Sequence, residues 1–460
     1  MIRIFNHYFY KPTLYQISFD MGLVILVVVT CFLYQAAEPM AASNPVLTGA
    51  FLMATGVSTI NTGLGFYQRV QSLTKRQMRR RALFALLLSL PLAYAVFRFS
   101  PVPPHDEESF VMALLVAVGL MLVHRTYMAR TLSEKMNHTR VLVYGAGANA
   151  VQLGDMLKTA DPHMELVGYY ANPTESLDDG GSPRRIPSGK SLTEVVRAQR
   201  VQEIVVAVGE RRGGSMPLRE LLDCKLHGVR VVDSATYFEK AMGQIRRDSV
   251  SAGWLIFGDG FDKGPFHSAL KRLFDITIAT SLLVLTLPLT VATAVLIFLE
   301  GGVPILYRQE RVGLYGRKFN VVKFRSMRTD AEKDGTPRWA SITDDRVTRV
   351  GRIIRKLRID ELPQLFNVLA GEMSMVGPRP ERPFFVDKLT NELPYYAVRH
   401  SIKPGITGWA QVRYHYGASV EDAAEKLQYD LYYVKNHTIF LDLVVLFETV
   451  GVVLTGKGAQ

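Results

Sequence analysis

The sequence predicts a multi-domain membrane protein with three parts: a four-helix transmembrane bundle, an α/β domain of the nucleotide-fold type, and a C-terminal domain that begins with a further apolar segment. Three observations predict this class. The chain has 460 residues, enough for two or three domains. Hydrophobic residues make up 48% of it, which is high for a soluble protein and indicates several membrane segments. Strand and helix patterns alternate over residues 139–250.

The bundle is predicted over residues 1–130 from four apolar segments: Leu14–Tyr34, Val46–Phe66, Ala82–Phe99 and Phe110–Val123. These segments approach the ~20 residues that a helix needs to cross a bilayer, although the last two are short. Six Lys and Arg lie between the second and third segments, whereas the other two connections contain none. The positive-inside rule therefore places both ends of the bundle in the cytoplasm.

The second domain is predicted to be Rossmann-like, because its first strand runs into the glycine turn Gly145-Ala-Gly147-Ala-Asn-Ala150. Amides at the start of the following helix could bind a nucleotide phosphate. The second strand ends at Tyr170-Ala171, where a dinucleotide site needs an acidic residue for the ribose. We interpret the domain as a vestigial or regulatory fold, with a working cofactor site at Gly145 and Gly147 as the alternative.

Positive charge dominates the C-terminal half. The formal net charge of the chain is +12, and residues 306–358 contain 15 Lys and Arg against 6 Asp and Glu. Such a field attracts RNA, anionic lipid or phosphorylated substrates. No RNA-binding signature with interleaved aromatic residues is present, so we expect lipid and phosphate partners and no nucleic acid. The two cysteines, Cys31 and Cys224, are not expected to pair.

The most informative stretch is Asp344–Pro380. Four arginines recur in it every three residues: Arg346, Arg349, Arg352 and Arg355. They are predicted to form a basic stripe on one helix face that leads to Asp360-Glu361. A cationic surface next to paired carboxylates suits a protein that binds a phosphate and attacks it. The alternative is a solvated basic helix whose successor is N-capped by Asp360.

Five pieces of the last 195 residues carry a family resemblance: KRLFD, LYRQERVGLYGRKFNVVKFRSM, DDRVTRVGR, IDELPQLFNVLAGEMSMVGPRP and YYAVRHSIKPGITGWAQV. In this order they resemble the bacterial polyprenyl-phosphate sugar-1-phosphate transferases, the monotopic phosphoglycosyl transferases. The front half resembles the long members that initiate exopolysaccharides, and the tail YHYGASVEDAAEKLQYDLYYVKN resembles the exosortase-associated branch. The resemblance implies a mostly α-helical, cytoplasmic catalytic domain over residues 265–460 of a multi-pass protein in the bacterial inner membrane.

The apolar segment Ile276–Leu299 has 24 residues without a charge and contains Pro288. Its length allows an ordinary spanning helix. The resemblance favours a re-entrant membrane helix within residues 270–300, although Leu287 stands where the family often has Ser. A proline removes a helix hydrogen bond, and the hydroxyls of Thr286 and Thr290 are candidate partners for the freed backbone groups.

The reaction implied by the resemblance moves a sugar-1-phosphate from a UDP-sugar to undecaprenyl phosphate and releases UMP, with Mg²⁺ as cofactor. The resemblance makes Asp360 the nucleophile, which forms a covalent aspartyl-phosphosugar, and also a metal ligand. Glu361 would orient the metal or manage protons. Membrane lipid, downstream glycosyltransferases and a homo-oligomer are the further partners considered.

Other predicted site residues form two groups. Those expected to bind substrate are Lys323, Arg325, Arg355, Arg379, Arg413 and Asp430. Those expected at the lipid are Lys271, Arg272 and Pro288, with interfacial anchoring as the alternative for the two cations. Arg413 lies where VRYHYG replaces the family's VNGR, and Asp430 has a simple ion pair as its alternative. Asp275 needs a cationic partner such as Arg272.

Two other functions remain open. A membrane-anchored nucleotide-sugar dehydratase would need a Tyr-x-x-x-Lys pair, and no tyrosine in this chain has a lysine four positions later. A non-catalytic scaffold that recruits polysaccharide machinery through the nucleotide-fold domain would show no turnover of a nucleotide sugar.

Overall fold

A computed structural model describes most of the chain: residues 2–4, 7–9, 11–35, 44–67, 75–99, 115–117, 119–121, 123–124, 139–145, 148–160, 164–170, 185–186, 191–207, 217–247, 264–329, 346–414, 417 and 419–455. The chain divides into two compact units. One is built around Leu120–Val250, and the other contains most of the N-terminal helices together with Ser251–Gln460.

The N-terminal part contains a short antiparallel strand pair and three helices: β1 (Ile2–Ile4), β2 (His7–Phe9), α1 (Lys11–Gln35), α2 (Asn44–Gly63) and α3 (Lys75–Phe99). α2 packs against both α1 and α3. Three of the four predicted membrane segments are therefore helical. Half of the fourth, Phe110–Val123, lies outside the described residues, and its described residues, 115–117, 119–121 and 123, are helical, so the structure describes three members of the predicted bundle and part of the fourth.

The other compact unit alternates strands and helices: β3 (Thr139–Tyr144), α4 (Ala148–Ala160), β4 (Met164–Tyr170), β5 (Arg185–Ile186), α5 (Leu192–Ala198), β6 (Glu203–Val206), α6 (Leu218–Leu226), β7 (Arg230–Asp233) and α7 (Ser234–Met242). The five strands form a parallel sheet in the order β5-β4-β3-β6-β7. Helices cover both of its faces, because the central strands bury apolar residues on either side. The predicted α/β alternation is confirmed.

The predicted glycine turn follows β3. Gly145 has φ 122°, a conformation that glycine adopts without strain, and its N–H donates to the Tyr170 carbonyl at 2.9 Å. Gly147 lies outside the described residues. Tyr170, the last residue of β4, is buried and stacks on Tyr144 with ring centroids 6.0 Å apart. An aromatic pair thus stands where a dinucleotide site has its acidic residue.

Among the described residues, two helices are long and apolar enough to cross a membrane: α1, over Thr13–Thr30, and α8 (Gly264–Gly301). α8 is one helix of 38 residues that continues through Pro288. Pro288 has no N–H for the carbonyl of Val284. The hydroxyls of Thr286 and Thr290 donate elsewhere, to the carbonyls of Leu282 and Leu287. The prediction that these two threonines satisfy the freed carbonyl is therefore wrong.

The C-terminal domain is mostly helical, with one hairpin and one short parallel strand pair: β8 (Leu306–Val312), β9 (Lys318–Phe324), α9 (Arg349–Lys356), α10 (Gln364–Ala370), β10 (Ser374–Val376), α11 (Pro383–Glu392), β11 (Gly405–Thr407), α12 (Trp409–Arg413), α13 (Val420–Asn436) and α14 (Ile439–Thr455). Two 3-10 turns, Ile359–Glu361 and Tyr396–Ser401, join these elements. α8 packs against α9 and α10, and α14 packs against α2.

Local chemistry accounts for the start of α13. The Ser419 hydroxyl accepts from the Asp422 N–H at 3.0 Å, and the Asp422 carboxylate accepts from the Ser419 N–H at 3.1 Å. This capping box satisfies two amide donors that have no partner within the helix. Behind it, Trp409 stacks on Tyr432 in the domain core, with ring centroids 5.8 Å apart. Together these contacts fix α12 and α13 against each other.

Candidate active site

A cavity of roughly 620 Å³ opens in the C-terminal domain. Seven predicted site residues line it: Lys323, Arg325, Arg355, Asp360, Glu361, Arg379 and Asp430. Further charged residues of the cavity were not predicted, including the following five, although Arg358 lies only two positions before the carboxylate pair: Arg311, Arg358, Glu381, Arg399 and Lys426. The remaining four have no sequence signal, because they reach the cavity from separate elements.

The carboxylate pair lies in the 3-10 turn Ile359–Glu361, between α9 and α10. Arg358 precedes it with φ 58°, a left-handed conformation that is unfavourable for a side chain other than glycine. Asp360 and Glu361 are both buried, with exposed fractions of 9% and 8%. α10 begins at Gln364 behind Pro363, so the alternative in which Asp360 N-caps this helix is wrong.

Glu361 is the charged member of the pair. Its Oε1 lies 2.9 Å from Arg379 Nη2, 3.5 Å from Lys323 Nζ and 3.5 Å from Arg358 Nη1. Burial alone would raise the pKa of Glu361, but the three cations hold that pKa well below its usual range. Glu361 therefore keeps its negative charge over the whole physiological pH range.

Asp360 behaves differently, because burial and the neighbouring Glu361 charge raise its pKa to about 6. Lys323, Arg358 and Arg379 oppose this rise without cancelling it. The pKa values of the two adjacent carboxylates are thus shifted in opposite directions, which is typical of a pair whose members have different roles in catalysis. A carboxylate with a raised pKa is the more basic and the better nucleophile of the two.

The cations around the pair belong to different elements. Lys323 projects from β9, and burial lowers its pKa to about 8. Arg355 lies in the last turn of α9, is half-buried and lines the cavity. Arg379 lies between two prolines in the segment after β10. These charges converge only in the folded domain, and they make the cavity suited to binding polyanions.

The predicted four-arginine stripe is not formed. Arg346 precedes α9, because the Thr348 side chain accepts from the Gly351 N–H at 2.9 Å and caps the helix start there. Arg349 and Arg352 are exposed and do not line the cavity. Steps of three residues drift around a helix, so Arg349 and Arg355 point about 120° apart. Arg346 and Arg355 line the cavity from two different segments.

Arg325 supports the C-terminal end of α8. It is buried, and its Nη2 donates to the carbonyls of Gly302 at 2.9 Å and Ile297 at 3.5 Å. A side chain on Gly301 would meet the same guanidinium, with a Cβ 2.9 Å from Nη2. Arg325 lines the cavity, yet the hydrogen bonds described for it hold the C-terminal end of α8.

The two cations predicted to contact lipid headgroups face the protein interior. Lys271 Nζ lies 2.7 Å from Asp275, 2.9 Å from Asp442 and 2.6 Å from Ser374 Oγ. Arg272 donates to the carbonyls at 368 and 369 at the end of α10, at 2.6 and 2.8 Å. The structure therefore does not place either side chain where it would contact lipid headgroups. Asp275 pairs with Lys271 rather than Arg272, because residues four apart share a helix face.

Arg413 is also placed away from the cavity. Its Nη2 lies 2.6 Å from Glu448, and its guanidinium covers the Trp409 ring at 4.3 Å from the centroid. Asp430 lines the cavity but is buried against Arg399, 2.8 Å from its Nη2. The ion-pair alternative considered for Asp430 is thus the contact that forms. Burial raises its pKa, against the lowering effect of Arg399.

A metal ion in this cavity would need some of its coordinating oxygens from a bound substrate. Among the described residues, no three His, Cys, Asp or Glu side chains are grouped to hold an ion. Mg²⁺ is commonly bound through one or two carboxylates, water and substrate phosphates. Glu361 Oε1 already faces three cations. Asp360 is the carboxylate that fits such a partial donor set, provided that a phosphorylated ligand supplies the remaining oxygens.

Comparison with known proteins relates the domain that contains this cavity to a family. Residues 266–456 match the family model described as bacterial sugar transferase. The chain is 43% identical over 242 residues to a UDP-N-acetylgalactosamine-undecaprenyl-phosphate N-acetylgalactosaminephosphotransferase of Aeromonas hydrophila. That alignment covers 53% of this chain and 56% of the relative.

Two longer alignments extend well upstream of the matched region. An undecaprenyl-phosphate glucose phosphotransferase of Komagataeibacter xylinus is 35% identical over 366 residues, which are 74% of this chain and 64% of the relative. A UDP-glucose:undecaprenyl-phosphate glucose-1-phosphate transferase of Xanthomonas campestris pv. campestris is 31% identical over 366 residues, 76% of this chain and 74% of the relative. The alignments thus include only 56% and 64% of the Aeromonas and Komagataeibacter proteins.

Proposed function

Because this chain belongs to the bacterial sugar transferase family, we propose that it transfers a sugar-1-phosphate from a UDP-sugar to undecaprenyl phosphate and releases UMP. The observation that carries the proposal is the buried Asp360-Glu361 pair in a cavity lined by cations. Both substrates are polyanions, and such a cavity attracts them electrostatically. The relatives are named for different sugars, so the proposal covers the reaction and leaves the sugar open.

In the first half-reaction, the Asp360 carboxylate attacks the sugar-bearing phosphorus of the UDP-sugar. A bond forms between the carboxylate oxygen and phosphorus, and the bond from that phosphorus to the bridging oxygen breaks. UMP leaves with the bridging oxygen and its electron pair. Lys323 and Arg379 lie beside the carboxylate pair, where they would stabilise the charge on the transferring phosphate.

In the second half-reaction, a phosphate oxygen of undecaprenyl phosphate attacks the same phosphorus. The bond between Asp360 and phosphorus breaks, which restores the carboxylate and leaves the sugar on an undecaprenyl diphosphate. Splitting one transfer into two displacements lets each substrate in turn use the same cationic cavity. We propose that this product primes an exopolysaccharide. A producing strain with an Asp360→Asn chromosomal change should then lack polymer, and normal polymer would contradict the proposal.

Mg²⁺ fits this scheme as a cofactor held by Asp360 together with the donor's phosphates. When bound, it would supply Lewis-acid neutralisation of phosphate charge. Lys323, Arg358 and Arg379, which lie around Glu361, would share that task.

The proposal is tested by trapping the intermediate. Purified protein is incubated with each of a panel of UDP-sugars and Mg²⁺, without undecaprenyl phosphate. One donor should increase the intact mass of the protein by one sugar-phosphate and release one equivalent of UMP. Peptide mapping should place the adduct on Asp360, and added undecaprenyl phosphate should remove it. UMP release that requires the acceptor and never leaves an adduct would contradict the covalent step.

The pH dependence of turnover follows from the two shifted groups. Asp360 attacks as a carboxylate, so kcat/KM should fall about tenfold per pH unit below about pH 6. Lys323 loses its charge above about pH 8, and kcat/KM should fall again there because the cavity binds phosphate less well. Initial rates of UMP release at subsaturating UDP-sugar between pH 4.5 and about 9.5 give both limbs.

Glu361→Gln provides the check on this assignment. It removes the negative charge that raises the pKa of both Asp360 and Lys323, so both limbs should move to lower pH. An acid limb that stays at the wild-type pH would show that Asp360 is not the titrating group.

We also propose that the protein is a multi-pass inner-membrane protein with a cytoplasmic catalytic domain, and that α8 enters and leaves one leaflet. The charge distribution of the N-terminal loops supports this orientation, the long apolar helices support membrane insertion, and Pro288 within α8 supports the re-entrant path. A phosphatase that is active only in the periplasm should be inactive when fused after Gln460. The same phosphatase inserted between the first two segments should be active. Phosphatase activity at Gln460 would overturn the topology.

A further inference from the structure

The segment that carries Arg379 is held in an unusual way. Pro378 and Pro380 flank Arg379, and proline has no N–H to donate. The segment is nevertheless fixed through its acceptors, since four consecutive carbonyls each receive one hydrogen bond from a different donor. Gly405 N donates to Pro378 at 3.0 Å, and Val312 N donates to Glu381 at 3.0 Å.

The two inner carbonyls are held by arginine side chains. Arg399 Nη2 donates to the carbonyl of Arg379 at 2.8 Å, and Arg311 Nη1 donates to the carbonyl of Pro380 at 3.1 Å. The Arg379 carbonyl, held by Arg399, belongs to one of the two peptide planes that flank the Arg379 Cα, and the Pro378 carbonyl, held by Gly405 N, belongs to the other. The direction in which the Arg379 side chain leaves the backbone is thereby fixed, and this side chain donates to Glu361 at 2.9 Å.

Arg399 is fully engaged inside the protein. It is 5% exposed, and its Nε donates to Asp430 at 3.0 Å while its Nη1 donates to Tyr396 Oη at 3.1 Å. All three guanidinium nitrogens therefore have protein partners, and most of the five N–H donors of Arg399 are used within the protein although it lines the cavity. Asp430, buried at 3% exposure, supplies the counter-charge that makes a buried guanidinium tolerable.

We propose that Arg399, with Asp430 as its counter-ion and Arg311 beside it, is a positioning residue that holds Arg379 against the carboxylate pair. The inference rests on the proposed function for its kinetic readout. The charged groups that face Asp360 are Glu361, Arg358, Lys323 and Arg379. Of these groups, Arg379 is in the segment whose carbonyls accept from Arg399 and Arg311. The distance between Arg379 and the carboxylate pair therefore depends on residues outside the turn that carries the pair.

Arg399→Lys tests this role. Lysine keeps a positive charge beside Asp430, but a single ammonium cannot occupy the three donor positions of a guanidinium. The Arg379 carbonyl loses its donor, and the Arg379 side chain moves away from the pair. kcat/KM at neutral pH should fall by about 10–100-fold. In an Arg379→Gln background, Arg399→Lys should cause little further loss of kcat/KM, because Arg399 acts through the Arg379 side chain.

The control is Arg413→Lys, which alters another arginine–carboxylate pair in the same domain, in which an exposed arginine lies 2.6 Å from the buried Glu448. Its effect on kcat/KM should be the same in the Arg379→Gln background as in wild type. If Arg399→Lys does not fold, Arg311→Lys, which releases the carbonyl of Pro380, carries the same expectation as Arg399→Lys. A folded Arg399→Lys or Arg311→Lys protein whose loss of kcat/KM is as large in the Arg379→Gln background as in wild type overturns the inference.

Nitrogen-15 NMR of the arginine side chains separates this inference from the proposed function, because it needs no turnover. The Arg379 resonances are those absent from Arg379→Gln, and their shifts report the contact with Glu361. Movement of these resonances in Arg399→Lys but not in Arg413→Lys, with no UMP release from wild type, would uphold the positioning role and refute the transferase. Asp360-dependent UMP release with unmoved Arg379 resonances would do the reverse.

Discussion

Asp360→Asn should lower the rate of UMP release by about 10⁴-fold or more, because a neutral amide is a far weaker nucleophile than a carboxylate. The change conserves the shape of the side chain, so substrate binding to the surrounding cations should persist. No sugar-phosphate adduct should appear on the variant after incubation with the donor. Rates of UMP release and intact-protein mass spectrometry measure both outcomes.

The stability of Asp360→Asn distinguishes lost chemistry from lost folding. Asp360 is buried, and its pKa is raised to about 6, so its charged form is disfavoured in the folded protein. Above that pH the carboxylate opposes folding, and a neutral asparagine should leave the melting temperature at pH 8 unchanged or higher. Asp387→Asn, on the exposed face of α11, is the matched control and should keep wild-type activity. Near-normal turnover by Asp360→Asn would refute the assignment.

Lys271→Met should lower the free energy of unfolding by about 3–5 kcal/mol, which is the second of the two largest effects that we expect. Lys271 lies within 3 Å of Asp275 and Asp442, at 2.7 and 2.9 Å, and these two carboxylates are only 3% and 1% exposed. Without the lysine, two buried acids lose their shared cation. Thermal unfolding in a fixed detergent should show a much lower melting temperature than wild type.

The control for this prediction is Lys388→Met, which removes an exposed lysine 4.0 Å from Glu392. It should change stability by no more than about 0.5 kcal/mol. The same pair of variants also tests the lipid-headgroup role predicted for Lys271 from the sequence. Wild-type stability with weaker binding to anionic vesicles would contradict the internal role seen in the structure.

Local sequence patterns predicted much of this architecture. The alternation of strands and helices over residues 139–250 is found as a parallel sheet with its helices. Likewise, the first apolar segments are helices, and Tyr170 ends β4 as expected. These features depend on periodicity and turn chemistry over a few neighbouring residues, which the sequence displays directly. Helix starts were less predictable, as the Thr348 cap that excludes Arg346 from α9 shows.

By itself, the sequence determined that Asp360 and Glu361 are adjacent, that a basic segment precedes them and that an apolar helix lies upstream. Tertiary structure alone decided which charges meet. Lys271 faces Asp442 rather than lipid, Arg413 faces Glu448 rather than the cavity, and Arg399 holds the carbonyl of Arg379. Ion pairs and hydrogen bonds act over a few ångströms, so partners far apart in the chain become neighbours only when helices and turns pack. For that reason the same cation can be a surface charge, a substrate ligand or a buried support.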